Sequence, residues 1–326
     1  MNGANVARVR ALCAEMVARI GLDLRGRVVV TEAATGAYAV TPVLAQLAGA
    51  AEVRALARDS RYGTADEAQA QVVALGGTGV RFTRVKDAAL FDGADVVTNS
   101  GHLRPIDART VGWLRPGAAV SLMYEPWELR PGEVDLAACQ RAGVSVAGPD
   151  EHHPDVGVFG YLGVMAVRQL LDAGIPVRGS RVLLLCDNGF LDDIGTGLRA
   201  LGADVTVAER PEDGPPGRLD AVVVALHPRE HYRLDHRAMV YIGQRYPGAV
   251  VTQYWGDIDR TTATPVWPPT PPEPGHMGIL PSAVGADPIV ALQAAGLKVG
   301  EVLTLGRPPT PEEEAFLLRV PERAVT

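Results

Sequence analysis

Arg25-Gly26 returns as Arg178-Gly179, Gly36 as Gly189 and Gly49 as Gly202, each 153 residues further along the chain. Each copy runs from a short apolar stretch, Val28-Val29-Val30 or Val182-Leu183-Leu184-Leu185, through a glycine turn and a helical pattern to a second apolar stretch. A strand, a turn, a helix and a second strand make one β-α-β unit. A chain that carries this unit twice is constrained to layered α/β domains.

The unit has the form that opens a Rossmann-type domain. The expected fold is therefore α/β, with two Rossmann-like domains whose mostly parallel sheets face a central cleft. Apolar stretches near Val53–Ala57, Val80–Phe82, Asp95–Thr98, Ala118–Met123 and Val144–Val146 alternate with helical patterns in the first half, as do Val205–Ala208, Ala221–Ala225 and Val250–Gln253 in the second. Strands this apolar, separated by helices, belong to sheets covered on both faces. The expected boundaries are 1–155 for the first domain with a leading helix from Ala7 to Ile20, and 156–260 for the second, entered by a long helix from Val158 to Ala173. Residues 261–326 are expected as a proline-rich connection, too poor in donors for a central strand, and a helical tail.

A chain of 326 residues with 47% hydrophobic and 21% charged residues can bury two cores. Its formal charge of −7 argues against a nucleic-acid or anionic-membrane surface. Cys13, Cys139 and Cys186 are scattered without C-x-x-C spacing, so neither a disulfide framework nor a cysteine metal site is expected. No run approaches the length of a membrane span. The expectation is a cytoplasmic protein with a small-molecule substrate, and the leading helix makes a homodimer plausible.

Ligands of such domains collect at the carboxyl ends of the strands. After the first strand, Ala34-Thr35-Gly36-Ala37-Tyr38-Ala39 keeps the central glycine of the dinucleotide fingerprint and lacks its first. About twenty residues past Gly36 stands Arg58-Asp59-Ser60-Arg61, where arginines and a hydroxyl suit the 2′-phosphate of NADP. Thr35, Gly36, Arg58, Ser60 and Arg61 are thus the candidate cofactor residues. In the second copy, Asp187, Asp192 and Asp193 put negative charge where phosphates would meet a helix N-terminus.

Three further strand-end loops carry ionisable groups: Asn99-Ser100-Gly101-His102-Leu103-Arg104, Tyr124-Glu125-Pro126-Trp127-Glu128 and Gly148-Pro149-Asp150-Glu151-His152-His153. His102 is the first candidate for an acid or base, and Arg104 for orienting an anion. Glu125, Glu128 and His152 complete the candidate catalytic set. Adjacent histidines without H-x-x-x-H or H-E-x-x-H spacing do not make a metal motif, so no metal is expected.

Asp95-Val96-Val97-Thr98-Asn99, Leu114-Arg115-Pro116-Gly117-Ala118, Ala142-Gly143-Val144 and, after the long helix, Arg178-Gly179-Ser180-Arg181-Val182 follow one another in an order that resembles the D-2-hydroxyacid dehydrogenases and their tandem-Rossmann relatives, including alanine dehydrogenase and adenosylhomocysteinase. The resemblance covers most of residues 25–260 as pattern rather than motif. It implies a two-domain enzyme with a nicotinamide cofactor in one domain and substrate in the cleft. The chain departs from the family pattern where the domain after the long helix should carry an intact glycine fingerprint, and the family's arginine and glutamate-histidine set has no residue-by-residue match.

Three functions follow as expectations. The first is an NADP-dependent oxidoreductase acting on a small anionic metabolite in the interdomain cleft. The second is a cofactor-free transferase or lyase using the same cleft, and the third a non-catalytic metabolite-binding protein.

Overall fold

The computed structural model describes residues 3–320. The chain divides into two compact units, one formed by the residues up to Val158 together with those from Ala286 on, the other by Phe159–Gly285.

The first unit opens with α1 (Gly3–Arg19), followed by β1 (Val28–Glu32), α2 (Val40–Leu47), β2 (Glu52–Leu56), α3 (Ala65–Ala74), β3 (Arg81–Thr83), α4 (Ala88–Phe91), β4 (Val96–Asn99), α5 (Ala108–Val111), β5 (Ala119–Leu122), α6 (Leu136–Ala142) and β6 (Ser145–Pro149). The second unit holds α7 (Leu162–Asp172), β7 (Arg181–Cys186), α8 (Leu191–Ala200), β8 (Asp204–Ala208), β9 (Ala221–Ala225), α9 (His236–Arg245), β10 (Val250–Trp255) and β11 (Val266–Trp267). The chain then completes the first unit with α10 (Asp287–Leu303), α11 (Pro311–Glu314) and β12 (Leu317–Arg319).

The first sheet has the order β12-β6-β5-β4-β1-β2-β3, all parallel except β12, which pairs antiparallel with β6. Without that edge strand this is the 3-2-1-4-5-6 order of a Rossmann domain, with its topological switch point between β1 and β4. The second sheet, β11-β10-β9-β7-β8, is wholly parallel and switches between β7 and β9. The α/β class with two Rossmann-like units is thus what the chain adopts.

The stretch 261–326, expected as a proline-rich connection and a helical tail, is shared between the units. Within the proline-rich segment Val266–Trp267 adds an edge strand to β10, a position where the missing N–H groups of the flanking prolines are tolerated. The tail returns to the first unit because α10 is buried from Pro288 to Val302 against β4, β5 and β6. Gly296 admits the Met123 side chain and Gly300 that of Val96, so small residues let the helix lie close to the sheet. The leading helix α1 packs on α2 and α10. Residues 1, 2 and 321–326 of the expected end segments lie outside the described residues.

The repeat has a physical basis. Gly49 and Gly202 hold φ of +81° and +86°, and the stems of Arg25 and Arg178 lie 2.9 and 3.4 Å from where a Cβ would stand. Only glycine meets both demands. At the start of the central strands, Asp95 accepts the Val28 N–H (2.7 Å) and Asp220 the Arg181 N–H (2.9 Å).

Candidate functional site

A pocket of about 370 Å³ opens at the carboxyl edge of the first sheet, lined by Ala57, Arg58, Asp59, Ala65, Arg84 and His102. It is built from the ends of β2, β3 and β4 and the first residue of α3. Arg58 is exposed, and among the described residues no acceptor takes its guanidinium. Arg84 is held by Asp66. Lys86 donates to the Pro105 carbonyl at 2.5 Å, and its ammonium is pushed below the usual lysine range by burial and by the nearby Arg58, against the pull of Asp107. Like charges gathered around an open volume favour an anion. The α3 N-terminus offers it little, since Thr64 and Glu67 form a capping box and Asp59 accepts the Ala65 N–H at 2.8 Å.

Beside the pocket lies the β1/β4 switch point, and there the chain has placed its own carboxylate. Glu32, the last residue of β1, accepts the His102 N–H at 3.0 Å, and its Oε1 is 3.9 Å from His102 Nε2. Its carboxyl group is tucked under Gly101, where a Cβ would lie 1.8 Å from Oε2. Burial raises its pKa, against the His102 N–H bond and the charges of His102 and Arg104.

Of the expected cofactor residues, Arg58 reaches the pocket. Thr35 donates to the Tyr62 carbonyl (3.1 Å), and the Gly36 N–H, which in the fingerprint faces a pyrophosphate, is given to Gln71 Oε1 at 2.7 Å. Ser60 accepts the Tyr62 N–H (3.1 Å). Arg61 lies over the Tyr62 ring and donates to its hydroxyl at 2.7 Å.

Of the expected catalytic residues, His102 lines the pocket. Arg104 is committed to Glu133 at 2.6 Å, and the Tyr124 hydroxyl donates to the same carboxylate. Burial works against the charge of Glu133, but the bonds from Tyr124 and Arg104 prevail and hold its pKa low. Tyr124 also receives a bond from Asn99 Nδ2 (2.5 Å), while the buried Asn99 Oδ1 has no partner among the described residues. Glu125 is buried, accepting from Trp127 Nε1 (2.6 Å) and the Glu151 N–H (3.0 Å). Burial and the Glu125 charge push Glu128 up to about 7. Glu151, which stood among the ionisable strand-end residues but outside the expected catalytic set, is driven well above the carboxylate range by burial and the charges of Glu128 and Glu125. His152 is exposed, its N–H on Asp150. Among the described residues no group of three or more metal-ligating side chains is placed to hold an ion, and no helix is long and apolar enough to cross a membrane.

The second unit repeats the carboxylate. Asp187, just after β7, accepts the His227 N–H at 2.7 Å and pairs with Arg233 at 2.9 Å. Asn188 Nδ2 bridges the switch point to the Ala225 carbonyl at 2.7 Å. Asp95 and Asp220, His102 and His227, and Arg104 and Arg229 all stand 125 residues apart. This second spacing is a sequence signal that pairs the two histidine loops, while Glu32 and Asp187, 155 residues apart, fall on neither repeat. Cys186 is buried, and burial raises its thiol pKa, which makes it a poor nucleophile.

No protein-family model and no curated protein matches the chain. Among solved structures it is similar to a dipicolinate synthase chain of Bacillus subtilis, at 12% identity and a TM-score of 0.54 over 87% of this chain and 98% of that one. A dipicolinate synthase chain of Bacillus halodurans matches at 14% identity and a TM-score of 0.51, over 83% and 99%. The chain shares their tandem Rossmann-like fold. A looser match, at 9% identity and a TM-score of 0.42 over 86% and 96%, is the NAD+-bound 3-phosphoglycerate dehydrogenase of Entamoeba histolytica.

A dinucleotide fits these residues only in part. In the first unit Arg58 and Arg84 suit a phosphate monoester, whereas the pyrophosphate turn is closed by Gln71 and flanked by Glu32. In the second unit Asp187 and Asn188 fill the corresponding crevice.

Proposed function

We propose that this chain is an enzyme acting on a small anionic metabolite, held by Arg58 and Arg84, with His102 carrying the proton. The Arg58 guanidinium, unpartnered among the described residues and facing the same pocket as His102, carries this reading. Arg58 fixes the anionic head group by charge and by its planar set of donors. His102, half-buried at a strand end, is an imidazole within reach of a ligand in that pocket. The name of the similar dipicolinate synthases supports a ligand of this class, since dipicolinate is a small dianion.

Acid-base chemistry of the transferase or lyase kind is supported by the occupied turns of both units, where Gln71 takes the Gly36 N–H and Asn188 Oδ1 the Phe190 N–H. The oxidoreductase reading is supported by the shared fold. In that reading Arg58 and Arg84 would take the 2′-phosphate of NADP, and the cofactor would supply hydride transfer. Calorimetric titration with inorganic phosphate and with dipicolinate tests the pocket. Binding that falls at least tenfold in Arg58→Ala is the expected result, and equal binding by wild type and variant would overturn it.

A further inference from the structure

The two units close their switch points in the same way. In each, a carboxylate from the end of the first strand accepts the N–H of a histidine that follows the strand across the switch point, β4 or β9, at 3.0 Å for Glu32 and His102 and 2.7 Å for Asp187 and His227. The histidines are 125 residues apart, the same spacing as Asp95 and Asp220 at the opposite ends of those strands. In each unit an N–H of the adjoining turn is also taken, that of Gly36 by Gln71 and that of Phe190 by Asn188 Oδ1.

A switch-point crevice ordinarily offers backbone N–H groups to a phosphate. Here a carboxylate already takes one of them, so a pyrophosphate placed there would lose that donor in both units and, beside Glu32, which has no ion-paired arginine, would also meet a carboxylate of like sign. We infer that Glu32 and Asp187 are matched carboxylate latches that exclude a dinucleotide from both switch points. The anion recognised by the chain is then a single phosphate or carboxylate head group at Arg58, which rests on the pocket reading given above.

Removing the latch should restore what it excludes. In Glu32→Gln the amide oxygen still accepts the His102 N–H while the charge is gone, and adding Gln71→Ala frees the Gly36 N–H. Full-length wild type, Glu32→Gln, Glu32→Gln/Gln71→Ala and Arg58→Ala are titrated calorimetrically with inorganic phosphate and with NADPH, each variant first checked for a wild-type melting curve. Inorganic phosphate should bind Glu32→Gln roughly three- to tenfold more tightly than wild type, as expected for removing one nearby charge. NADPH should leave wild type unsaturated and bind the double variant at least tenfold better. Saturation of wild type by NADPH, or a folded double variant with no gain, overturns the latch. If phosphate fails to bind wild type while the double variant still gains NADPH, the pocket reading fails and the latch stands. If the double variant does not fold, Glu32→Gln alone is titrated with NADPH, and no gain over wild type there overturns the latch.

Discussion

Glu32 and Asp187 do the same backbone work in different electrostatic company. Asp187 is paired with Arg233 at 2.9 Å, both side chains about one-eighth exposed, and although burial opposes its charge, the His227 N–H and Arg233 bring its pKa below the ordinary aspartate value. Glu32 has one N–H and a histidine ring 3.9 Å away, and burial brings its pKa above the ordinary glutamate value. One carboxylate is neutralised and permanent. The other is held against its own solvation, next to the pocket, in the manner of groups that serve a site rather than a scaffold.

The largest effect should separate the two. Asp187→Ala leaves Arg233 with a nearly buried, unpaired charge and should cost about 3–5 kcal/mol. Glu32→Ala loses one hydrogen bond while releasing a poorly solvated carboxylate, a net change under about 1 kcal/mol. Urea denaturation of both variants measures the difference, and equal costs would erase the distinction. Their pH responses should also be opposite in sign. Asp187, with a lowered folded pKa, contributes stability that is present above its unfolded value and lost as pH falls through the folded one. Glu32, with a raised folded pKa, loses stability as pH rises from the ordinary glutamate value to the raised one.

A smaller effect comes from side-chain length. The extra methylene of Glu32 carries its carboxyl under Gly101, which has φ +37°, whereas the equivalent residue beside the shorter Asp187 is the buried Leu226. Gly101→Ala should therefore cost about 1–3 kcal/mol by overpacking. In Glu32→Ala/Gly101→Ala the clash is gone, so the two costs should fall short of additivity by at least about 1 kcal/mol. Additive costs in a double-mutant cycle would mean that the two residues do not press on each other.

These contrasts also mark what could be read from the chain in advance. The 153-residue repeat carried the two sheets because Gly49 and Gly202 are conformational necessities, set by positive φ and by the arginine stems beside them. Arg58 and His102 were legible because strand order brings strand ends together. Which unit α10 returns to was not, since an apolar helix does not say which sheet it covers, and neither was β12, since a three-residue edge strand has no local signature. Glu32 stood out in no motif of the sequence, and Arg104 was expected to orient an anion. Their partners, His102 and Glu133, lie 70 and 29 residues away in sequence.

The smallest effect expected lies at the acidic ends of β5 and β6, where Glu128, Glu125 and Glu151 crowd together without a cation to balance each of them. Glu128 titrates near 4.5 unfolded and about 7 folded, because burial and the Glu125 charge disfavour its ionised form. Its contribution to stability is complete below pH 4.5, declines as the unfolded chain ionises first, and levels off above about pH 7. At full strength that rise would be worth about 3 kcal/mol, but solvent reaches the half-buried Glu128 and screens it to about 1 kcal/mol, so wild type should lose roughly 2–4 °C of melting temperature between those limits relative to Glu128→Gln. The contrast with the second unit sharpens here, because Asp187 has Arg233 to keep it ionised and Glu128 has only the weaker pull of Arg130. Parallel melting curves for wild type and Glu128→Gln across that range would show that the carboxylates are already relieved by solvent, leaving Glu32 as the strained acid of the first sheet.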